Sequence, residues 1–218
     1  MHLAYPETKK WQKSSAAERG RAGMPRPSNR IQRNGVARPR IWTDRALLRL
    51  PRDGYKHELL EGILIMSPAG FSHGDICAAI IMQIRSFAQP RKLGKVCDGQ
   101  TGFRLTRGVR RKTVLSPDVS FVSRRRVEAM AAPEKFFEGA PDLVVEVLSP
   151  GDRLAETENK VRRFFLNGTL LAWIVDPVAR VVHVHSPAGQ SFVKQAGEII
   201  EGGEVLPGFK LRVKKLFD

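Results

Sequence analysis

The sequence predicts an α/β fold in which a central mixed β-sheet is flanked by helices. Residues 72–90, SHGDICAAIIMQIRSFAQP, set Ile76, Ile80, Ile84 and Phe87 three and four positions apart, the period of one helix face. Short apolar runs follow, among them SPDVSFV (116–122), PDLVVEVLSP (141–150) and LLAWIVDP (170–177), which read as strands. Helical and strand-like segments alternate along the chain, the order expected for helices packed on a sheet. With 218 residues, 42% of them hydrophobic, the chain can enclose a substantial core.

Residues 1–40 are expected to form a disordered basic tail. Lys and Arg recur from Lys9 to Arg40 against only Glu7 and Glu18, and no apolar period is sustained. The folded domain is expected over residues 41–218. TDRALLRL (43–50) predicts a short helix capped by Thr43 or Asp44. HELLEGILIMSP (57–68) predicts strand, turn and strand, bent at Gly62, with Glu61 a solvated turn residue. The long helix follows Pro68 and ends at Pro90. Strands are expected at 95–105, 118–123 and 142–148, then a helix over 153–166 with Leu154, Val161, Phe164 and Phe165 inward. LLAWIVDP and VVHVHSP pair around Asp176 and Pro177, and a last strand pair is expected near 192–200 and 208–213.

The formal net charge of +15 points to a polyanionic partner, nucleic acid first and an anionic membrane surface second. Basic charge serving only solubility, or non-specific RNA contact, is the plain alternative. Cys77 and Cys97 have no metal-type spacing and read as reduced, space-filling residues of a cytoplasmic protein. No apolar run approaches the ~18 residues needed to cross a bilayer, so no membrane association through a helix is expected.

One acid stands inside the apolar run PDLVVEVLSP. Glu146 shares a strand face with Val144 and Leu148, where an unpaired ionised carboxylate is costly. Asp118 opens the strand SPDVSFV and shares its face with Ser120 and Val122. Lys160 lies on the helix that follows Glu146. Two carboxylates projecting from neighbouring strands suit a hard divalent cation such as Mg2+, with Mn2+ the alternative. A lysine beside them can orient or deprotonate an attacking water, or stabilise charge developing on phosphorus. The structural alternative is that Asp118 caps a turn and Glu146 and Lys160 form an ion pair. His183 and His185, two apart on a strand, lack a nearby third ligand and are read as strand residues.

SPDVSFVS, GAPDLVVEVLSP, the helix bearing Lys160, WIVDP and the closing LPGFKLRVKKLF together resemble the Uma-type family of putative restriction endonucleases. That family belongs to the PD-(D/E)XK nuclease superfamily, and the resemblance spans residues 42–217. It implies a restriction-endonuclease-like core and a metal-dependent DNA endonuclease, with Asp118 and Glu146 as metal ligands and Lys160 positioning water. Leu148 stands where the superfamily pattern has its lysine, and Lys160 fits the position to which this family moves it. The resemblance also implies that Glu58, before the bend, and His73, at the start of the long helix, lie near the metal. Glu156, four residues before Lys160, could steady it. Leu171 and Ala172 depart from the polar and tyrosine residues expected before the tryptophan.

DNA is the expected partner, and a homodimer would suit an enzyme that cuts two strands. The rival readings are a non-catalytic nucleic-acid-binding or regulatory module that keeps the nuclease fold, and a nuclease for RNA or branched DNA. Deleting residues 1–40 should leave the thermal unfolding transition in place and weaken DNA binding chiefly at low salt. Calorimetry and a salt series of binding isotherms check this; loss of the transition would refute the tail assignment.

Overall fold

The computed structural model describes residues 41–50, 56–67, 70–130, 132 and 135–218, all within one compact unit, Pro39–Asp218. The expected tail, residues 1–40, lies outside the described residues, as does Pro68. Helix α1 (Asp44–Leu47) starts at Thr43, whose Oγ1 accepts a hydrogen bond from the Ala46 N–H at 3.2 Å. Strands β1 (Lys56–Leu60) and β2 (Ile63–Ser67) form an antiparallel hairpin. The reversal places Glu61 and Gly62 at φ 50° and 80°. Gly62 takes that conformation without steric cost, whereas Glu61 is held there by its side chain. Its Oε2 accepts from the backbone N–H groups of Arg110 and Arg111 at 3.0 and 2.9 Å, and Arg163 lies 3.5 Å from Oε1. Glu61 is therefore a latch and not a solvated turn residue.

Helix α2 (Phe71–Ala88) buries Ile76, Ile80, Ile84 and Ala88. The strand expected over 95–105 is two strands, β3 (Gly94–Asp98) and β4 (Phe103–Leu105). Asp98 causes the break: its Oδ1 accepts from the Gln100 N–H at 3.1 Å and closes a tight turn. Next come β5 (Thr113–Leu115), β6 (Val119–Ser123), the short helix α3 (Arg124–Glu128), β7 (Phe137–Glu138) and β8 (Leu143–Val147). Helix α4 (Leu154–Leu166) precedes β9 (Leu171–Asp176) and β10 (Val181–His185). The expected strand at 192–200 is likewise divided, into β11 (Ser191–Gln195) and β12 (Ile199–Glu201). Glu198 turns the chain between them, its carboxylate accepting from the Gln195 N–H at 2.8 Å. Strand β13 (Lys210–Arg212) pairs with β12, and a 3-10 turn (Val213–Leu216) follows.

The expected mixed sheet flanked by helices is present, joined by a second sheet and a small ribbon. The larger runs β11-β10-β9-β8-β6-β3 and is mixed, because β8 and β9 are parallel and the other neighbours antiparallel. The second runs β2-β1-β5-β4-β7. On one face of the larger sheet Val119, Phe121, Val145, Trp173 and Val175 pack with the Ile76–Ile84 face of α2. On the other, Val122, Val144, Ala172 and Ile174 pack with Val161 and Phe164 of α4. Alternation along each strand divides the two cores, so α4 covers the face that carries Glu146. The chain passes from the second sheet to the larger one through Ser116–Asp118, between β5 and β6.

Gly94, at the start of the edge strand β3, has no room for a side chain. A Cβ there would stand 2.0 Å from the Val122 carbonyl oxygen and 2.8 Å from the Phe121 ring. Gly94→Ala should therefore cost about 1–3 kcal/mol, the range for an overpacked site. Urea denaturation measures it, and an unchanged midpoint would show that the strand can move aside.

Candidate active site

The β6–β8 register brings the two strand acids together. Val119 faces Val145 across this antiparallel pair, and one step further along sets Asp118 opposite Glu146. Directly opposed residues project to the same face about 5 Å apart at Cβ. The Val147 N–H donates to Asp118 Oδ2 at 2.9 Å, which fixes the aspartate against the Glu146 strand. Lys160 reaches back from α4, its Nζ 3.0 Å from Glu146 Oε1 and 3.0 Å from Glu58 Oε1. Glu58 comes from β1 and accepts the Ser116 N–H at 2.7 Å. His73, in the first turn of α2, sets Nε2 3.1 Å from Asp118 Oδ2. The five residues singled out in the sequence thus line one cleft of about 420 Å³.

The expected contact between Glu156 and Lys160 is replaced by other pairings. Glu156 lies 4.0 Å from Arg153, while Lys160 turns inward to Glu58 and Glu146. Two residues of the cluster escaped the sequence reading. Lys56, two positions before Glu58 on the same strand face, holds Asp118 Oδ1 at 2.7 Å. Cys77, one helical turn after His73, has its Sγ 3.6 Å from His73 Nδ1. The signals were the i,i+2 spacing of a lysine and an acid on a strand, and the i,i+4 spacing of histidine and cysteine on a helix.

Three carboxylates share this space with three cationic groups. Burial alone would raise Asp118, but the His73 hydrogen bond and the charges of Lys56 and Lys160 outweigh it and hold Asp118 well below the usual carboxylate range. The hydrogen bond to Asp118, followed by that to Cys77, raises His73 to about 10, so its ring is an imidazolium at neutral pH. Burial pushes Glu146 upward, and the charges of Asp118 and Glu58 add to it against the pull of Lys160 and Lys56. Burial would lower Lys160, but Glu146, Glu58 and Asp118 keep it above the ordinary lysine range. Lys160 is therefore a permanent charge at neutral pH, and Glu146 is where an extra proton can reside.

Both oxygens of the buried Glu146 carboxylate face the Lys160 ammonium, Oε1 at 3.0 Å and Oε2 at 3.1 Å. Two carboxylates opposed in one cleft form an all-oxygen donor set that fits a hard divalent cation, which takes oxygen ligands and retains waters. Asp118 and Glu146 are the residues that would hold it. No helix among the described residues is long and apolar enough to cross a membrane.

A family model for Uma2, described as putative restriction endonuclease, matches residues 44–214. A crystal structure of a putative nuclease belonging to DUF820, from Anabaena variabilis, superposes with a TM-score of 0.67. It is 23% identical and covers 80% of this chain and 97% of its own, a likeness that shows the fold. No curated protein matches.

The His73–Asp118 pair has a measurable consequence. The His73 ring should titrate near 10 by NMR, and Asp118→Asn should return it toward the ordinary value of 6.5. Because His73 is raised and Asp118 lowered, the pair stabilises the fold fully between the ordinary values of 3.8 and 6.5, losing that effect as pH rises through 10 or as acid protonates Asp118. A His73 that titrates near 6.5 in the parent would break this description.

Proposed function

The chain belongs to the Uma2 family, and from its cleft we propose a metal-dependent DNA endonuclease that hydrolyses phosphodiester bonds. The observation that carries this reading is the convergence of Asp118, Glu146, Lys160, Glu58 and His73 on one cleft from β1, β6, β8 and two helices. Asp118 and Glu146 would hold Mg2+, or Mn2+ in its place. When bound, such a cation supplies positive charge that stabilises developing phosphoryl negative charge and makes an attacking water more acidic.

The remaining work falls to the chain's own side chains. Lys160 keeps its proton, so it orients water and stabilises charge on phosphorus by donating, and it does not act as a base. Glu58 fixes the Lys160 ammonium from the side opposite Glu146. The His73 imidazolium holds Asp118 ionised and presents a cation at the cleft where a phosphate would lie. Lys56, on Asp118 Oδ1, is a further cation that could turn to phosphate once Asp118 takes a metal. DNA is the proposed substrate because a net charge of +15 favours a long polyanion, whose phosphates dominate non-specific affinity.

The test is cleavage of supercoiled and linear DNA with Mg2+, with Mn2+ and with chelator, run beside RNA and branched DNA. Nicking should require the metal, and Asp118→Asn or Glu146→Gln should lower the rate by ~100-fold or more with DNA binding retained. If the parent and Asp118→Asn bind DNA alike and neither cuts any substrate, the chain is a binding module on a nuclease fold. Raising the pH through neutrality should strengthen metal activation, because Glu146 must be deprotonated to bind a cation and burial holds its proton on longer than usual.

A further inference from the structure

We propose that Cys77, His73 and Asp118 form a second metal site, for a thiophilic divalent ion of the Zn2+ class, that competes with the catalytic cation for Asp118. The inhibitory consequence rests on the nuclease reading; the binding site itself does not.

The site is built from two elements. His73 and Cys77 lie four residues apart on α2, so both side chains leave the same helix face. Asp118 meets them from the start of β6, its Oδ2 3.1 Å from His73 Nε2. One ligand atom from each residue can be chosen so that all lie within 4.8 Å of one another. A tetrahedral zinc ion, with bonds of about 2.3 Å to sulfur and about 2.0–2.2 Å to nitrogen or oxygen, sets its ligands ~3.5 Å apart. The His73 ring contacts both partners, Nδ1 3.6 Å from Cys77 Sγ and Nε2 3.1 Å from Asp118 Oδ2, and an ion takes only one of those nitrogens, so the remaining ligand must close from within 4.8 Å to ~3.5 Å. Side-chain rotation of about an ångström completes the set, leaving a fourth position for water.

The ligand chemistry separates this site from the catalytic pair. Asp118 and Glu146 offer only oxygen, which suits Mg2+ or Mn2+; adding thiolate and imidazole selects zinc-like ions. Binding replaces the thiol and imidazolium protons with the metal, and those protons pass to solvent. Asp118 belongs to both sets, so an ion seated on Cys77 and His73 withdraws it from Glu146. It also removes the imidazolium charge from the cleft. Among the described residues no other cluster offers this combination of ligands, and Cys97 is outside it.

Cobalt provides the readout, since a thiolate–Co2+ bond gives a charge-transfer absorption that oxygen ligands do not. Full-length protein without a polyhistidine tag, stripped of metal, is titrated with Co2+. The parent and Cys97→Ser should develop the band with one equivalent, Zn2+ should abolish it, and excess Mg2+ should not. Cys77→Ser should lose the band and bind at least ~10-fold more weakly, since even outer-shell changes cost that much. In the DNA assay, Zn2+ should arrest Mg2+-dependent cleavage by the parent, and far less so for Cys77→Ser relative to its own uninhibited rate. A missing band in the parent, or an undiminished one in Cys77→Ser, overturns the proposal. Should the chain cut no DNA, the nuclease reading fails, yet the Co2+ titration still decides this site.

Discussion

The ion pairs of Lys160 join the parts of the molecule on which the cleft depends. Its ammonium is shared between Glu58 of β1 and Glu146 of β8, so one side chain of α4 ties the smaller sheet to the larger. Both carboxylates are buried, at 9% and 5% exposure, where a charge without a partner is costly. Removing one member of a buried pair commonly costs about 3–5 kcal/mol, because the partner is left uncompensated. Glu58 then extends the dependence, since it also accepts the Ser116 N–H and so fixes the segment that delivers Asp118 to the start of β6. The position of the aspartate is thus set from both sides, by Ser116 before it and by the Val147 N–H across the strand pair.

What the sequence made legible followed from period two. Alternation puts Asp118 with Ser120 and Val122, and Glu146 with Val144 and Leu148, and the larger sheet keeps those faces. Leu148 illustrates why the lysine had to come from elsewhere. It packs against the apolar cluster under α4, and the cation is supplied by the helix above it. Ala172, one of the departures noted before the tryptophan, is also buried in that cluster and bears on packing. The two-sheet arrangement was not legible, because the breaks at Asp98 and Glu198 are made by side chains folding back on nearby backbone within apparently continuous strands. Lys56 was missed for a different reason. Its i,i+2 spacing to Glu58 places it on the acid's face, but its partner Asp118 is 62 residues away and that pairing is set by the join between two sheets. His73 and Glu58 were reached only through family resemblance, which is to say through no physical signal in their own neighbourhoods.

The charge balance of the cleft constrains how it can act. Asp118, Glu146 and Glu58 are matched within the chain by Lys56, Lys160 and the His73 imidazolium. A divalent cation entering such a site must displace something of like charge, or the cluster carries an uncompensated excess in a poorly solvated place. Lys160 is the least able to leave, being wedged between two carboxylates and 21% exposed. Lys56 holds a single oxygen of Asp118 from a flexible stem at the cleft wall, and Glu146 can release a proton that burial and the nearby Asp118 and Glu58 charges favour. Were Asp118 to hold a cation, Lys56 would be released from its 2.7 Å contact with the carboxylate and left facing the cleft. A phosphodiester, itself anionic, would then restore the balance that a bound cation upset. On the proposed reading a cation and a polyanion would bind more strongly together than either alone, and the self-compensated cluster keeps three buried acids tolerable without them.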